Sequence, residues 1–502
     1  MKFNSLAHWP HTIVSLLFIA FVLSCQQSGK KYETNFKGKS VAVFPFLSAN
    51  SDPQSSNFTQ GVTSDIVDLL NQNGDLRIIS GSSVRKLAAK PRNLNKISEQ
   101  LGVDASLDGI VERIGNLVRI KTELIDLATG NWIWEKTFER NIKDIFSLQN
   151  EIVAAVASSL NSVPGNSGKA IHRPTEKTEA YIEYCNGRNY WNLRSDSALR
   201  AAIVFFNKAI ELDPNYAKAY SGLADCYSYM GYGNYLPPGE AFLAAEKNAR
   251  KALALDSNLA DPHTSLGFIE FYYYWNWNEA EREFKSAIRL DPHYVFALDA
   301  YAYFLTAREK FPQARDAIEK ARALDPLSEK LNTDMGFSLY YAGDFEQSIR
   351  YLKTSLEWDP KSQWAHNWLG RVYQEKKMYN ESIAEFQKTF ERAKDWPIAY
   401  AAIGYVEGIS GNKSEATLIL ERMNKLSQQK FVTPYGLALV YLGLNEKERS
   451  LDWLEKSFET KANWMVWLKS DPRWTPLYNE ERFKRLVAKI GFNENKPLVH
   501  QK

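Results

Sequence analysis

The sequence predicts a two-part α+β protein: a small mixed α/β domain followed by a long all-α solenoid of paired helices. Three observations carry that reading. Short β-branched runs alternate with helical patterns over the first third of the chain, and a phrase built around Asp-Pro recurs at a fixed interval over the rest. At 502 residues and 44% hydrophobic content, the chain is also too long for one compact core.

Charge is nearly balanced, 62 Lys+Arg against 59 Asp+Glu, with no long basic block. Phosphate binding needs a concentrated positive patch, so this balance argues against nucleic acid as the main partner. Fourteen Trp, 26 Tyr and 26 Phe bring the aromatic content to 13%, and those rings must be buried or used.

Residues 1–25 read as a targeting segment rather than part of a fold. "TIVSLLFIAFVL", from Thr12 to Leu23, is uncharged but shorter than the roughly 20 residues a spanning helix needs. Lys2 supplies a thin positive start. The run ends in "VLSCQQSG", which resembles the bacterial lipobox. That resemblance implies lipidation of Cys25, which would become the mature N-terminus. One acyl chain holds a protein only marginally, whereas several give stable tethering. Gln26 after the cysteine leans towards an outer-membrane address facing the periplasm. An ordinary cleaved signal and an uncleaved anchor are the alternatives. In an exported chain Cys185 and Cys226 would meet an oxidising space, but each lies in a helical apolar pattern that favours a buried thiol.

A polar linker, 26–38, leads into the first domain, 39–163. "SVAVFPFL" (Ser40–Leu47) has the apolar, β-branched character of a buried strand. "NFTQGVTSDIVDLLNQ" spaces Val62, Ile66, Leu69 and Leu70 as a helix, with Thr63 or Ser64 near its start. "LRIIS" (Leu76–Ser80) reads as a second strand, and "NLNKISEQLG" as a helix closed by Gly102. "ASLDGIVERI", "LVRIKTELIDL" and "NWIWEKTFER" are three antiparallel strands separated by "GN" and "ATG" turns. An amphipathic helix from about Ile142 to Leu160 completes the order β-α-β-α-β-β-β-α. "VAVFPF", "FTQGVTSDIVDLL", "LRIIS", "LGVDASLDGIVERIGNLVRIKTELIDLATGNWIWEKTFER" and "DIFSLQNEIVAAV" follow one another as in the TolB-N-like domain of bacteria, which this stretch resembles. The resemblance implies an interaction or sensing module and brings no catalytic residues with it.

After a second linker, 164–177, the repeats occupy 178–464. Pro292, Pro326 and Pro360 are spaced 34 residues apart, the period of helix-pair repeats. Small residues recur at the eighth, twentieth and twenty-seventh places: Ala302, Ala314 and Ala321, then Gly336, Ser348 and Ser355, then Gly370, Ser382 and Thr389. Leu369, Tyr373 and Phe386 fill the space between. Asp-Pro divides one pair from the next, because proline fits a first turn but not a helix interior. The pattern resembles the tetratricopeptide family over about eight units. The second carries an insertion, "GYGNYLPPGE", and the third is one residue over length. Residues 465–495 read as a turn and a capping helix over the last apolar face.

No catalytic constellation emerges. The seven histidines form no metal-ligand pairing, "GISGNKS" lacks the Walker spacing and "SGSSVR" lacks the GxSxG elbow. No metal or cofactor is expected. The tetratricopeptide resemblance instead implies a groove lined by the first helix of each unit. Its concave positions map to Phe268 and Tyr272 in the third unit, Phe296 and Tyr303 in the fourth, Phe337, Tyr340 and Tyr341 in the fifth, and Trp364, Asn367 and Arg371 in the sixth. Asp261, Asp299, Lys330, Gln374 and Glu375 add charge and polarity. Those rings are either packing between units or a binding surface, since Tyr, Trp and Arg dominate binding hot spots. The expectation is a membrane-tethered, non-enzymatic scaffold that binds a protein or peptide. The alternatives are an envelope sensor or glycan- or small-ligand-binding protein using the same trough, and a cytoplasmic signalling repeat protein.

Overall fold

The computed structural model describes residues 30–31, 38–72, 76–160, 162 and 174–492; the 12–23 run and Cys25 lie outside them. The first part is a seven-stranded mixed sheet with helices on both faces. Its elements are β1 (Lys30–Lys31), β2 (Ser40–Val43), β3 (Leu47–Ser48), α1 (Pro53–Asn71), β4 (Arg77–Ile79), α2 (Gly81–Ala88), α3 (Leu94–Leu101), β5 (Ala105–Ile114), β6 (Leu117–Asp126), β7 (Trp132–Asn141) and α4 (Ile145–Ser159). The order across the sheet is β1-β7-β6-β5-β2-β4, with β3 also on β5. β2 runs parallel to β4 and β5, while β5, β6 and β7 form an antiparallel meander.

The period-two alternation of β2 divides the core. Val41 and Val43 face α1 and α4 among Phe58, Val62, Ile66 and Ile152, whereas Ala42 and Phe44 face α2 and α3 among Val84, Leu87, Ile97 and Leu101. Two details depart from expectation. α1 begins at Pro53, capped by Asp52 accepting from the Ser55 N–H at 2.8 Å, so Thr63 lies mid-helix. α2, from "GSSVRKLA", is a helix that the strand-like surroundings concealed.

Eight helix pairs follow. The inner, first helices are α5 (Thr178–Trp191), α7 (Ala217–Tyr232), α9 (Ala260–Ile269), α11 (Val295–Ala307), α13 (Glu329–Tyr341), α15 (Gln363–Glu375), α17 (Pro397–Ile409) and α19 (Pro434–Gly443). Their outer partners are α6 (Asp196–Leu212), α8 (Pro238–Leu255), α10 (Trp277–Leu290), α12 (Phe311–Leu324), α14 (Phe345–Trp358), α16 (Tyr379–Lys388), α18 (Lys413–Leu426) and α20 (Lys447–Glu459). Close helix approach explains the small residues. A Cβ on Gly267, Gly336 or Gly370 would come within 2.6 Å of Phe284, Leu352 or Phe386. The hydroxyls of Ser348 and Ser382 donate across the same junctions, each at 2.7 Å, to the Gly336 and Gly370 carbonyls.

The Asp-Pro phrase works as a turn. Its prolines precede the inner helices by three residues rather than starting them, and the aspartate accepts the N–H two residues on, at 3.0 Å for Asp213, 2.9 Å for Asp291 and 3.3 Å for Asp359. Asp325 is different. It accepts the Ser82 and Ser83 N–H groups at 3.3 and 2.7 Å and both their hydroxyls, while the Ser83 hydroxyl accepts the Leu327 N–H at 2.7 Å in its place. The start of α2 is thereby fastened to the fourth repeat junction, and Lys86 adds an ion pair to Glu329 at 2.5 Å. A second attachment joins α1 to α5. Tyr181 and Cys185 lie in the sheet's core, and a Cβ on Gly61 would collide with Cys185. Cys185 and Cys226 are separate buried thiols, and burial pushes both thiols up from their ordinary pKa.

The extra residue of the third unit is absorbed by a π-turn, Glu270–Tyr274, that leaves Trp275 in the left-handed region at φ 58°. Trp275 swings out to meet Phe458 of the eighth unit at 5.1 Å between ring centroids. The solenoid therefore comes back upon itself. The chain after α20 forms two 3₁₀ turns, Asn463–Trp467 and Pro472–Leu477, and a last helix, α21 (Glu481–Lys489). This tail does more than cap the end: it runs into the superhelix. Asn463 donates to the carbonyls of Gly231 and Tyr232 at 3.2 and 2.8 Å, and the Trp277 indole donates to Ile490 at 2.7 Å.

Candidate functional site

The inner helices line an axis along which two stretches have opposite character. Over one stretch the space is filled with rings. Tyr232 touches Phe268, Tyr272, Tyr303 and Trp364, from three other units. Trp467 of the tail stacks on Tyr341 at 4.7 Å and meets Phe271 and Phe337 edge-on. Tyr340 and Tyr341 have no exposed surface and Phe337 has 2%. Trp368 closes the layer between Phe337 and Tyr340.

The open aromatic trough expected from the sequence is therefore absent among the described residues. Phe268, Tyr272, Tyr303, Phe337, Tyr340, Tyr341, Asn367 and Arg371 are buried; Phe296 and Trp364 are half-buried, the first stacked on Phe268 and the second on Tyr232. The reason lies in the tail, which supplies the surface that a ligand would have supplied. Packing between units, one of the two readings open from sequence, describes these rings.

Another stretch of the axis is charged, and solvent reaches it beside α1. Lys218 lies 3.8 Å from Asp65 of α1, and Asp65 also accepts from Tyr181 at 2.5 Å and from Gln149 at 3.1 Å. Arg188 pairs with Asp225 at 3.1 Å, and Asp225 accepts the Ser265 hydroxyl at 2.9 Å. Further along, Lys330 bridges Asp299 and Asp334, and Tyr303 donates to Asp334 at 2.5 Å. Asp68 is exposed, while Lys218, Arg188 and Asp261 are half-buried. Arg194 stands at the boundary, 3.5 Å above the Trp191 ring and 4.9 Å from those of Tyr229 and Phe296.

The field here is uneven. Burial and Asp261 push the Asp225 carboxyl up, and burial and Asp334 that of Asp299, both to about 7. Burial works against the charge on Lys218 and Lys330, yet Asp65 holds the first and Asp299 the second above the ordinary lysine range. Lysines in a first turn oppose the helix dipole, so these two ammonium groups depend on their carboxylates. Asp261, Asp299 and Lys330 were visible as concave positions in the sequence; Arg188, Lys218 and Asp225 were not singled out, although Lys218 and Asp225 occupy the same second and ninth places of their unit. Asp65 and Asp68 come from another domain, and no repeat spacing finds them. Among the described residues no three His, Cys, Asp or Glu side chains converge as a metal centre.

The comparisons agree with this architecture. Residues 339–404 and 205–235 each match a family described as tetratricopeptide repeat, and the chain contains such repeats. A Rhizobium meliloti (strain 1021) protein named as an adenylate cyclase is 30% identical over 190 residues, which are 37% of this chain and 32% of that one. The transcriptional regulator HilA of Salmonella typhimurium is 20% identical over 55% of this chain and 44% of its own length. This chain thus spans less than half the length of these curated relatives. A tetratricopeptide repeat protein from Parabacteroides merdae superposes with a TM-score of 0.36 at 17% identity, over 54% of this chain and 99% of that one.

Proposed function

We propose that the protein is a non-enzymatic interaction scaffold, and that the charged side of its axis holds a basic segment of another protein. One observation carries this reading: beside α1 the accessible groups at the axis include an ionic cluster, with exposed Asp68 and half-buried Asp65, Asp261, Lys218 and Arg188. Asp65, Asp68 and Asp261 stand near Lys218, and Asp225 and Asp261 near Arg188. An arriving lysine or arginine would pair with Asp68 and Asp261. Tetratricopeptide repeats support the scaffold class. The cyclase name belongs to the relative.

The resemblance of 39–163 to the TolB-N-like domain supports an interaction role for the first domain, and the lipobox-like "VLSC" supports a lipid tether at Cys25 in a bacterial envelope, at the outer membrane facing the periplasm. No helix among the described residues is long and apolar enough to cross a membrane. A fatty-acid label entering the wild type and absent from Cys25→Ser would support the tether; an intact Met1 on membrane-extracted protein would overturn it.

For the binding site, fluorescence anisotropy with Lys/Arg-rich and Asp/Glu-rich peptides is the test. Basic peptides should bind, more weakly as salt rises, and Asp68→Asn with Asp261→Asn should reduce affinity at least tenfold while melting is unchanged. Equal binding of acidic peptides, or no effect of the double substitution, would overturn the assignment.

A further inference from the structure

Where the tail meets the sixth, seventh and eighth units there is a small cavity of about 20 Å³ lined by Arg371, Ile398, Thr433, Tyr435, Trp464 and Arg473, among others. Its lining carries several donors without partners. Arg371, only 2% exposed, has Nε and Nη1 free of any hydrogen bond. Arg473 Nη1, Trp464 Nε1 and the Thr433 hydroxyl are equally unpartnered. Unmade buried hydrogen bonds are costly, more so for charged groups, so such a cluster calls for an acceptor.

Charge points the same way. Asp471 is the carboxylate of this region that is fully committed: it accepts from Arg473 Nε at 2.9 and 3.1 Å and from Nη2 at 2.5 Å, with Tyr435 at 3.3 Å. That pair is internally neutral and leaves the Arg371 guanidinium uncompensated, lying against the faces of Trp368 and Trp464 at 4.3 and 4.8 Å. The other nearby carboxylate, Glu375, is engaged by Gln374 at 2.8 Å and Tyr340 at 3.4 Å, and burial with Asp471 nearby pushes it up to about 7. Two helix starts also reach the cavity. Thr433, Tyr435 and Gly436 open α19, and Ile398 is the second residue of α17, so two positive dipole ends add to the guanidinium.

A water molecule could pass a hydrogen to the Thr433 hydroxyl but would leave the Arg371 charge uncompensated. A monoatomic anion accepts from every side and supplies the missing charge. A cavity must offer about 10–15 Å³ to hold one water-sized particle, so 20 Å³ admits a single such ion and excludes phosphate. We propose that this cavity is a halide site, occupied by chloride, which ties Arg473 and Trp464 of the tail to Arg371 of α15 and so secures the tail in the superhelix.

The test uses the full chain. Melting in sodium chloride and in sodium gluconate at one ionic strength should diverge, with Tm rising in chloride and saturating as the site fills. Crystals grown in bromide should show an anomalous peak in contact with Arg371 and Arg473. Arg371→Met keeps the length of the side chain and removes the charge; it should abolish the chloride dependence. Should that variant fail to fold, the wild-type bromide peak decides. Identical melting in the two salts, no bromide peak, or an undiminished chloride effect in Arg371→Met would each overturn the proposal.

Discussion

Two stretches of the solenoid axis show how one repeat pattern builds opposite surfaces. Where the tail enters, the chain has closed its own groove with Trp464, Trp467 and Trp474, so aromatic positions that would face a ligand in an open solenoid form a core. Beside α1, Asp68 is exposed and Asp261 and Lys218 are half-buried, and ion pairs replace rings. An aromatic inner face is thus not by itself a binding face. What decides is whether another part of the same molecule reaches it.

Substitutions can sharpen the contrast. The largest effect belongs to Trp467→Ala. The side chain is 2% exposed and touches three rings from the third and fifth units, so its loss should cost about 3–5 kcal/mol by urea denaturation. A cost below about 1 kcal/mol would mean that the tail is not part of the core. Next comes Gly336→Leu, whose Cβ would meet Leu352 at 2.6 Å; overpacking there should cost about 1–3 kcal/mol, and a change within about 0.5 would refute the close approach.

A smaller effect concerns pH. Asp225, Asp299 and Glu375 are all raised to about 7 by burial, above the values near 4 of the unfolded chain. A raised carboxyl binds its proton more tightly in the folded state, so its cost is absent at low pH and grows as pH rises from about 4 through 7. His366 acts in the same direction. Burial opposes its charge, but the hydrogen bonds to Glu385 at 2.6 Å and to the Pro360 carbonyl at 2.9 Å raise it, so its stabilisation fades as pH passes its folded pKa. Tm should be higher at pH 5.5 than at pH 7.5, and the reverse order would refute the assignment. The smallest effect is that of Asp68→Asn. On the charged side, at an exposed position, it should change stability by less than about 0.5 kcal/mol.

The fold class was legible because it rests on local rules. A 34-residue period, small residues where helices cross and alternating strands depend on neighbours in the chain, and each left a mark on the sequence. The features that decide the candidate site do not. The bond exchange between Asp325 and Ser83 spans 242 residues, and Asn463 reaches Gly231 across 232. Nothing in "SDPRWTPLYNEERF" announces that it will enter the superhelix instead of sitting on its end, because a capping segment is apolar too. The concave-position rule placed Tyr340 and Arg371 towards the axis but says nothing of what lies on the other side. Helix α2 escaped for a related reason: its stability comes from Asp325 at its start, a partner that belongs to another domain.

The re-entrant tail also removes a freedom that solenoids usually possess. In an open array each unit contacts only its neighbours, so units can be duplicated or lost and the remainder still folds. Here Trp275, Trp277 and Gly231 must meet Phe458, Ile490 and Asn463 after a fixed number of intervening helices. Adding or deleting one 34-residue unit anywhere between them would rotate the tail past its seat. The number of units between these contacts is therefore fixed, and the molecule is counted out by its own C-terminus.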